Sequence, residues 1–188
     1  MDSLSDNTLM LKVRDGQLDQ LGLLFERHHK PLYGYFFRLT ADGAISEDLV
    51  QNVFMRMIKY RHTYKGDGKF TTWMYHMARN LFSDHYRKEK KRGWKEDPEV
   101  TDRYLSDGDN AEYRRIQNEE LDTLQMALDR LAADKKEILV LSKLQGMRYQ
   151  DIAEVLELSE SAVKVRIFRA LKELKAVYEQ LETEGIGT

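Results

Sequence analysis

Residues 149–170 read Tyr149-Gln150-Asp151-Ile152-Ala153-Glu154-Val155-Leu156-Glu157-Leu158-Ser159-Glu160-Ser161-Ala162-Val163-Lys164-Val165-Arg166-Ile167-Phe168-Arg169-Ala170. The first eight predict a short helix with Ile152, Ala153 and Leu156 inward, Ala153 being small where two helices cross closely. Glu157-Leu158 makes the turn, Leu158 plugs the angle, and Ser159 is placed to cap a second helix through its side-chain oxygen. On that helix Val163, Ile167, Ala170, Leu171 and Leu174 recur at helical spacing and form one buried stripe. At about 100° per residue, Ser161, Val165, Phe168, Arg169 and Lys172 fall on the opposite face, with Lys164 and Arg166 on the flanks. A solvated helix keeps that face polar, so Val165 and Phe168 require a reason. In a DNA major groove both side chains can touch thymine methyls while Arg169 or Lys164 reaches guanine or phosphate. The pattern therefore predicts a helix-turn-helix. Glu157 takes the turn position where glycine is common, and Arg148 stands where a Ser or Thr cap is expected, each costing about 1 kcal/mol at most. The plain alternative, a helical hairpin with a stray exposed Phe, leaves the coincidence of turn, cap and basic helix unexplained.

The rest of the chain agrees with an all-α protein. Among 188 residues only 2 are proline and 11 glycine, and good helix formers dominate. A charged share of 33% and a mean hydropathy of -0.64 describe well-solvated helices around thin cores. With no cysteine there is no disulfide, thiolate zinc site or thiol switch. No run approaches the roughly 18 apolar residues of a membrane span. The start, Met1 to Asp6, lacks the basic and apolar regions of a signal peptide. A cytoplasmic protein without membrane insertion is expected. The net charge of -2 conceals segregation. Arg79–Lys95 holds seven Lys/Arg against two acids, Glu96–Asp122 ten acids against three Arg, and Glu160–Lys175 five Lys/Arg against two Glu. Two basic patches around an acidic stretch suggest two DNA-contacting surfaces on a tether, the bland reading of each being a solvated helix face.

Towards the N-terminus a helix is expected from a Ser5 or Asp6 cap through Leu9, Met10 and Val13. A second begins near Leu18, and Pro31 must kink it or start a new turn. Thr40-Ala41-Asp42-Gly43 reads as a loop, after which Ser46 is expected to cap a helix reaching Lys59. Its buried stripe is Leu49, Val50, Val53, Phe54, Met57 and Ile58. The turn-rich Tyr64–Lys69 leads to a helix capped by a Thr at 71 or 72 and running through Trp73, Met77, Leu81 and Phe82. Aromatics and bases share that helix, which suits DNA whose strands are being parted, though Trp73, Tyr75 and Phe82 read equally as core. Residues 95–118, with Pro98 and Ser106–Asn110, read as a flexible acidic linker. In the second domain, helices are expected over 121–131, 134–144, 149–156 and 159–181, with no strands.

An enzyme is a poor fit. His28, His29, His62, His76 and His85 form no His-x-x-x-His or His-Glu-x-x-His pattern. The pair Asp2 and Asp6 sits in a terminus expected to fray, and no nucleotide-binding glycine motif or nucleophile elbow is present. No catalytic residue, metal or cofactor is expected. A dimeric helix-turn-helix regulator acting without polymerase remains open; it predicts a palindromic site and leaves the first half of the chain without a role.

Taken in order, Ser46-Glu47-Asp48-Leu49-Val50-Gln51-Asn52-Val53-Phe54, then Phe70-Thr71-Thr72-Trp73 through Ala78-Arg79-Asn80, then Val163 through Ala170, the motifs closely resemble an extracytoplasmic-function (group 4, sigma-70 family) sigma factor. The resemblance spans about Leu4 to Leu181 apart from the linker. It implies a domain over 1–95 that binds the polymerase clamp and the -10 element, a linker over 96–118, and a domain over 119–182 that binds the -35 element. It implies polymerase contacts at Asp48, Gln51 and Asn52, an acid being usual in the place of Asn52. It implies -10 contacts at Lys65, Gly66, Asp67, Gly68, Lys69, Arg79, Asn80, Arg87 and Lys88, the loop pocketing a flipped-out base. It implies -35 contacts at Lys164, Val165, Phe168, Arg169 and Lys172, a small polar residue being frequent in the place of Val165. The implied partners are core RNA polymerase, promoter DNA both double-stranded and locally melted, and an anti-sigma factor.

Overall fold

The computed structural model describes residues 4–92 and 121–184, with side chains to residue 88 in the first span. The expected linker, the basic residues beyond 92, and Asp2 lie outside them. No strand occurs among the described residues. In chain order the helices are α1 (Asp6–Arg14), α2 (Gln20–Thr40), α3 (Gly43–Lys59), α4 (Phe70–Arg92), α5 (described over 121–129), α6 (Ala133–Leu139), α7 (Tyr149–Leu156) and α8 (Glu160–Thr183). A 3-10 turn at Arg61–Thr63 follows α3, and α6 continues as a wider π turn over Val140–Leu144.

The helices α1–α4 close on one apolar core. Leu9, Met10 and Val13 of α1 meet Leu24, Leu32 and Phe36 of α2, the α3 stripe Leu49, Val50, Val53, Phe54 and Met57, and Met74, Met77 and Ala78 of α4. Arg56 Nη2 donates to Asp84 Oδ2 at 3.2 Å and ties α3 to α4 at the surface. The second group buries Leu128, Leu131, Ile138, Leu141, Ile152, Val155, Val163, Ile167 and Ala170.

Four local expectations change. Helix α2 runs unbroken through Pro31, so no new turn starts there; long apolar faces on both sides hold it across the missing amide donor. Ser46 is not the cap of α3. Asp42 is, its Oδ1 accepting from the Ile45 amide at 2.9 Å, so the helix begins four residues earlier. Ser46 is fully buried inside the first turn and donates to the Asp42 carbonyl at 2.5 Å. Nor does a Thr cap α4: the Phe70 amide donates to Asn7 Oδ1 of α1 at 2.8 Å, and buried Thr72 Oγ1 has no partner. Asp6 does not fray. Its carboxylate accepts from Arg27 Nη1 at 2.7 Å and meets His28 Nε2 at 2.8 Å. Burial works to raise this carboxyl, but the hydrogen bonds and charges of Arg27 and His28 outweigh it and leave the pKa lowered.

The two helical groups also pack against each other, with α4 lying along α7 and α2 against the π turn and α6.

Candidate nucleic-acid and polymerase interfaces

The helix-turn-helix forms as its sequence demands. Ser159 Oγ accepts from the Ala162 amide at 3.2 Å and starts α8. Glu157 ends α7 with φ +54°, the left-handed conformation that the turn requires and a Glu adopts only with strain. Ile152 and Val155 are the fully buried residues of α7, while Ala153 and Leu156 pack at the edge of the core. Val155 was not among the expected inward residues; an eight-residue helix wedged between α4 and α8 buries a wider arc than one stripe.

On α8 the stripe Val163, Ile167 and Ala170 is buried, with Leu171 and Leu174 packed beside it. Ser161, Lys164, Val165, Arg166, Phe168, Arg169 and Lys172 are all exposed. Phe168 is 70% exposed and Val165 48%. Exposure of that order on an aromatic flanked by Lys164, Arg169 and Lys172 creates an apolar centre in a cationic rim. That chemistry fits base methyls inside a phosphate frame.

The first group presents a different surface. The turn Lys65–Lys69 is anchored from α1, where Asn7 Nδ2 donates to the Gly68 carbonyl at 2.7 Å. Gly66 has φ +79°, and a Cβ there would come within 3.0 Å of Leu11 Cδ2, so its glycine is needed for packing inside the domain. Gly68 faces open space. Behind the turn Tyr64 is buried against Phe70 and Trp73, ring centroids 6.3 and 5.0 Å away. Burial, aided by Asp6 and Asp67, pushes its hydroxyl up to about 12. Lys65, Asp67 and Lys69 are exposed. Nearly three turns into α4, Asn80 is exposed, with Nδ2 3.3 Å from His76 Nδ1. Further along, exposed Arg87 pairs with Asp84, and Lys88 is exposed. Of the ambiguous aromatics Tyr75 is buried, and Trp73 and Phe82 are partly buried against the core.

Arg79 is only 30% exposed at its side chain and turns towards the second group, its Nε 3.4 Å from Glu137 Oε1. The two charges attract, but the N–H is not aligned on the carboxylate and has no hydrogen-bond acceptor. Tyr35 OH donates to the same oxygen at 3.1 Å. Burial raises the Glu137 carboxyl, and Arg79 and Tyr35 only partly oppose this. The Tyr35 hydroxyl, also buried, is raised well above its ordinary value, first by burial and then by Glu137. Lys69 Nζ meets Asp151 Oδ2 at 2.5 Å, and Tyr75 OH donates to Gln145 Oε1 at 2.7 Å. Glu137, Gln145 and Asp151 were not among the expected site residues. No periodicity or motif marks a residue whose partner lies 58 to 102 positions away.

On α3, Asp48, Gln51 and Asn52 are exposed opposite the buried stripe, with Met55 64% exposed one turn on. Asn52 Nδ2 donates to the Asp48 carbonyl at 2.8 Å, so its amide is turned back on its own helix. Asp48 and Gln51 project from a rigid, doubly packed element, which suits a docking handle. No group of three metal-ligating side chains, and no helix long and apolar enough to cross a membrane, occurs among the described residues.

Residues 24–92 match the sigma-70 region 2 family, and residues 121–174 match the sigma-70 region 4 family. The chain is 31% identical over 170 residues to the ECF RNA polymerase sigma factor SigX of Bacillus subtilis, covering 86% of this chain and 85% of that protein. Its fold is similar to that of CnrH, solved in complex with the cytosolic domain of CnrY. The TM-score is 0.72 at 24% identity, over 93% of this chain and 97% of that one. It is also similar in fold to the sigma factor RpoE, solved with the anti-sigma factor NepR from Bartonella quintana. There the TM-score is 0.70 at 20% identity, over 85% and 96% of the two chains. With both family regions in order and a relative of this identity matched along most of its length, the chain belongs to the extracytoplasmic-function sigma factors of the sigma-70 family.

Proposed function

We propose that this protein is an alternative sigma factor that binds core RNA polymerase and directs promoter-specific initiation by reading two unlike DNA elements. The observation that carries this is the pairing, in one chain, of two different nucleic-acid faces. One is the apolar-centred, cationic face of α8, with Phe168 70% exposed. The other is the anchored Lys65–Lys69 turn beside Asn80. In this reading Lys164, Val165, Phe168, Arg169 and Lys172 read the -35 duplex from the major groove. Lys65, Gly66, Asp67, Gly68 and Lys69 capture an unpaired -10 base, with Asn80 supplying hydrogen bonds. Arg79, Arg87 and Lys88 hold phosphates of the separated strands. Asp48 and Gln51 engage the polymerase clamp, with a smaller share for Asn52. The domains run over 1–95 and 119–182 with a connector between them. The protein has no catalytic role of its own and works in the cytoplasm, where its polymerase partner acts. An anti-sigma protein is its regulator, a reading supported by the similarity in fold to a sigma factor solved with one.

The test is run-off transcription from genomic fragments with purified core polymerase. Wild-type protein should produce discrete starts preceded by two spaced elements. Asp48→Ala/Gln51→Ala should lose both the transcripts and polymerase co-purification at unchanged helicity. Selection of a palindromic site bound without polymerase would replace this reading with the dimeric regulator.

A further inference from the structure

Three side chains on one face of α1 touch the segment from Tyr64 to Phe70 at successive points. Asn7 Nδ2 donates to the Gly68 carbonyl at 2.7 Å, Leu11 lies beneath Gly66, and Arg14 Nη1 donates to the Tyr64 carbonyl at 3.5 Å. Positions 7, 11 and 14 follow the i, i+4, i+7 spacing of a single helical face. Helix α1 is itself held in place, since Leu9, Met10 and Val13 are fully buried and Asp6 pairs with Arg27 and His28 of α2. The turn therefore rests on a rigid support.

Asn7 grips it with both ends of its side-chain amide. While Nδ2 donates to Gly68, Oδ1 accepts from the Phe70 amide at 2.8 Å. These partners fix which way the amide faces, because a backbone carbonyl only accepts and a backbone N–H only donates. One side chain thus ties the end of the turn to the first residue of α4, the helix that carries Asn80. A Cβ on Gly68 would meet nothing within 4 Å, so packing does not set the place of that residue and the bond to Asn7 does.

We propose that Asn7 is a positioning residue that sets downstream base selectivity, by holding the Gly68 backbone in the shape that receives the unpaired base. The role rests on the assignment of the turn to base capture. It goes beyond that assignment by naming the group that shapes the turn, on a helix that carries none of the assigned DNA contacts. A turn held in one shape rejects a misfitting base because it cannot relax around it. Released, it spends only part of its time in the receiving shape, which weakens the base that needs that shape and spares those that do not.

One substitution separates the two bonds. Asn7→Asp keeps an acceptor for the Phe70 amide and puts an oxygen, in place of the donor, against the Gly68 carbonyl. Asn7→Ala removes both. The assay uses holoenzyme reconstituted from core polymerase and the full chain. Its probe is a library of promoter fragments randomised over both elements and pre-melted at the downstream one, the retained fragments being sequenced. Asn7→Asp should keep the helicity and thermal midpoint of wild type. It should reduce the ratio of preferred to next-best base at the captured position about fivefold, the worth of one neutral hydrogen bond. Upstream preference should stay fixed. The added carboxylate repels all fragments alike, so the ratio does not register it. Asn7→Ala should narrow the ratio equally and lower the midpoint as well. Lys65→Ala/Asp67→Ala, on the turn itself, tests the underlying assignment and should also alter the base profile. An altered profile there with an unaltered one in Asn7→Asp would overturn the positioning role and leave the turn as the capture element. Unaltered profiles in all three variants would refute base capture, and the role with it. Narrowing in Asn7→Ala alone would assign the effect to the start of α4 and overturn the role. Loss of helicity or of upstream preference in Asn7→Asp would mark Asn7 as a general structural residue and refute it.

Discussion

Phe168 and Ile167 are neighbours on α8 with opposite surroundings, 70% and 2% exposed. Replacing each by alanine therefore separates DNA reading from folding. A phenylalanine offers about 200 Å² of surface, of which the 70% left exposed here makes roughly 140 Å² available to a partner. If a major groove covers half of it, the transfer free energy at about 25 cal/mol per Å² is about 1.8 kcal/mol. Phe168→Ala should then weaken binding to an upstream-element duplex by about twentyfold. Its effect on the unfolding midpoint should be small, within about 0.5 kcal/mol as for other surface changes. Ile167→Ala removes buried methylenes packed against Val163 and Ala170 and should cost about 2–5 kcal/mol of stability. Fluorescence anisotropy on the duplex and urea unfolding followed by circular dichroism provide the two readouts. If Phe168→Ala instead lowers the midpoint as Ile167→Ala does, the ring is structural. The groove-docking geometry then fails.

Two further expectations concern stability. Ala41 closes α2 with φ +55°, a left-handed position exposed to solvent, so Ala41→Gly should stabilise the protein by about 0.5–1 kcal/mol in urea unfolding; a loss of that size would mean the residue is helical. Asp6 has its carboxyl pKa lowered by Arg27 and His28 against the effect of burial, so its contribution is present above the ordinary value of 3.8 and is lost as pH falls through the lower folded value. Asp6→Asn should therefore lower stability at neutral pH and flatten the stability profile below pH 3.8; parallel profiles for variant and wild type would show that the α1–α2 ion pairs contribute nothing.

Periodicity and local capping were readable from residues alone because they act within one turn of helix. The stripes Leu49–Met57 and Val163–Leu174, the Ser159 cap and the strained turn at Glu157 all depend on partners within a few positions. The exposed Val165 and Phe168 followed from the same projection, since a helix that buries Val163, Ile167 and Ala170 has no other side on which to put them. Where two local rules competed, the tertiary structure decided. Asp42 and Ser46 are both good caps, and the choice fell to Asp42 because Ser46 is buried where α3 meets the end of α2. Position alone cannot reveal a cap supplied by another helix, and Asn7 caps α4 from 63 residues away. The meeting of Lys69 with Asp151 and of Arg79 and Tyr35 with Glu137 belongs to the same class. A charge pair across 82 or 58 residues has no period, because either charge would be equally well solvated on its own element. Only the packing of α4 along α7 brings those groups within reach, and with them the question of which face of the protein is open.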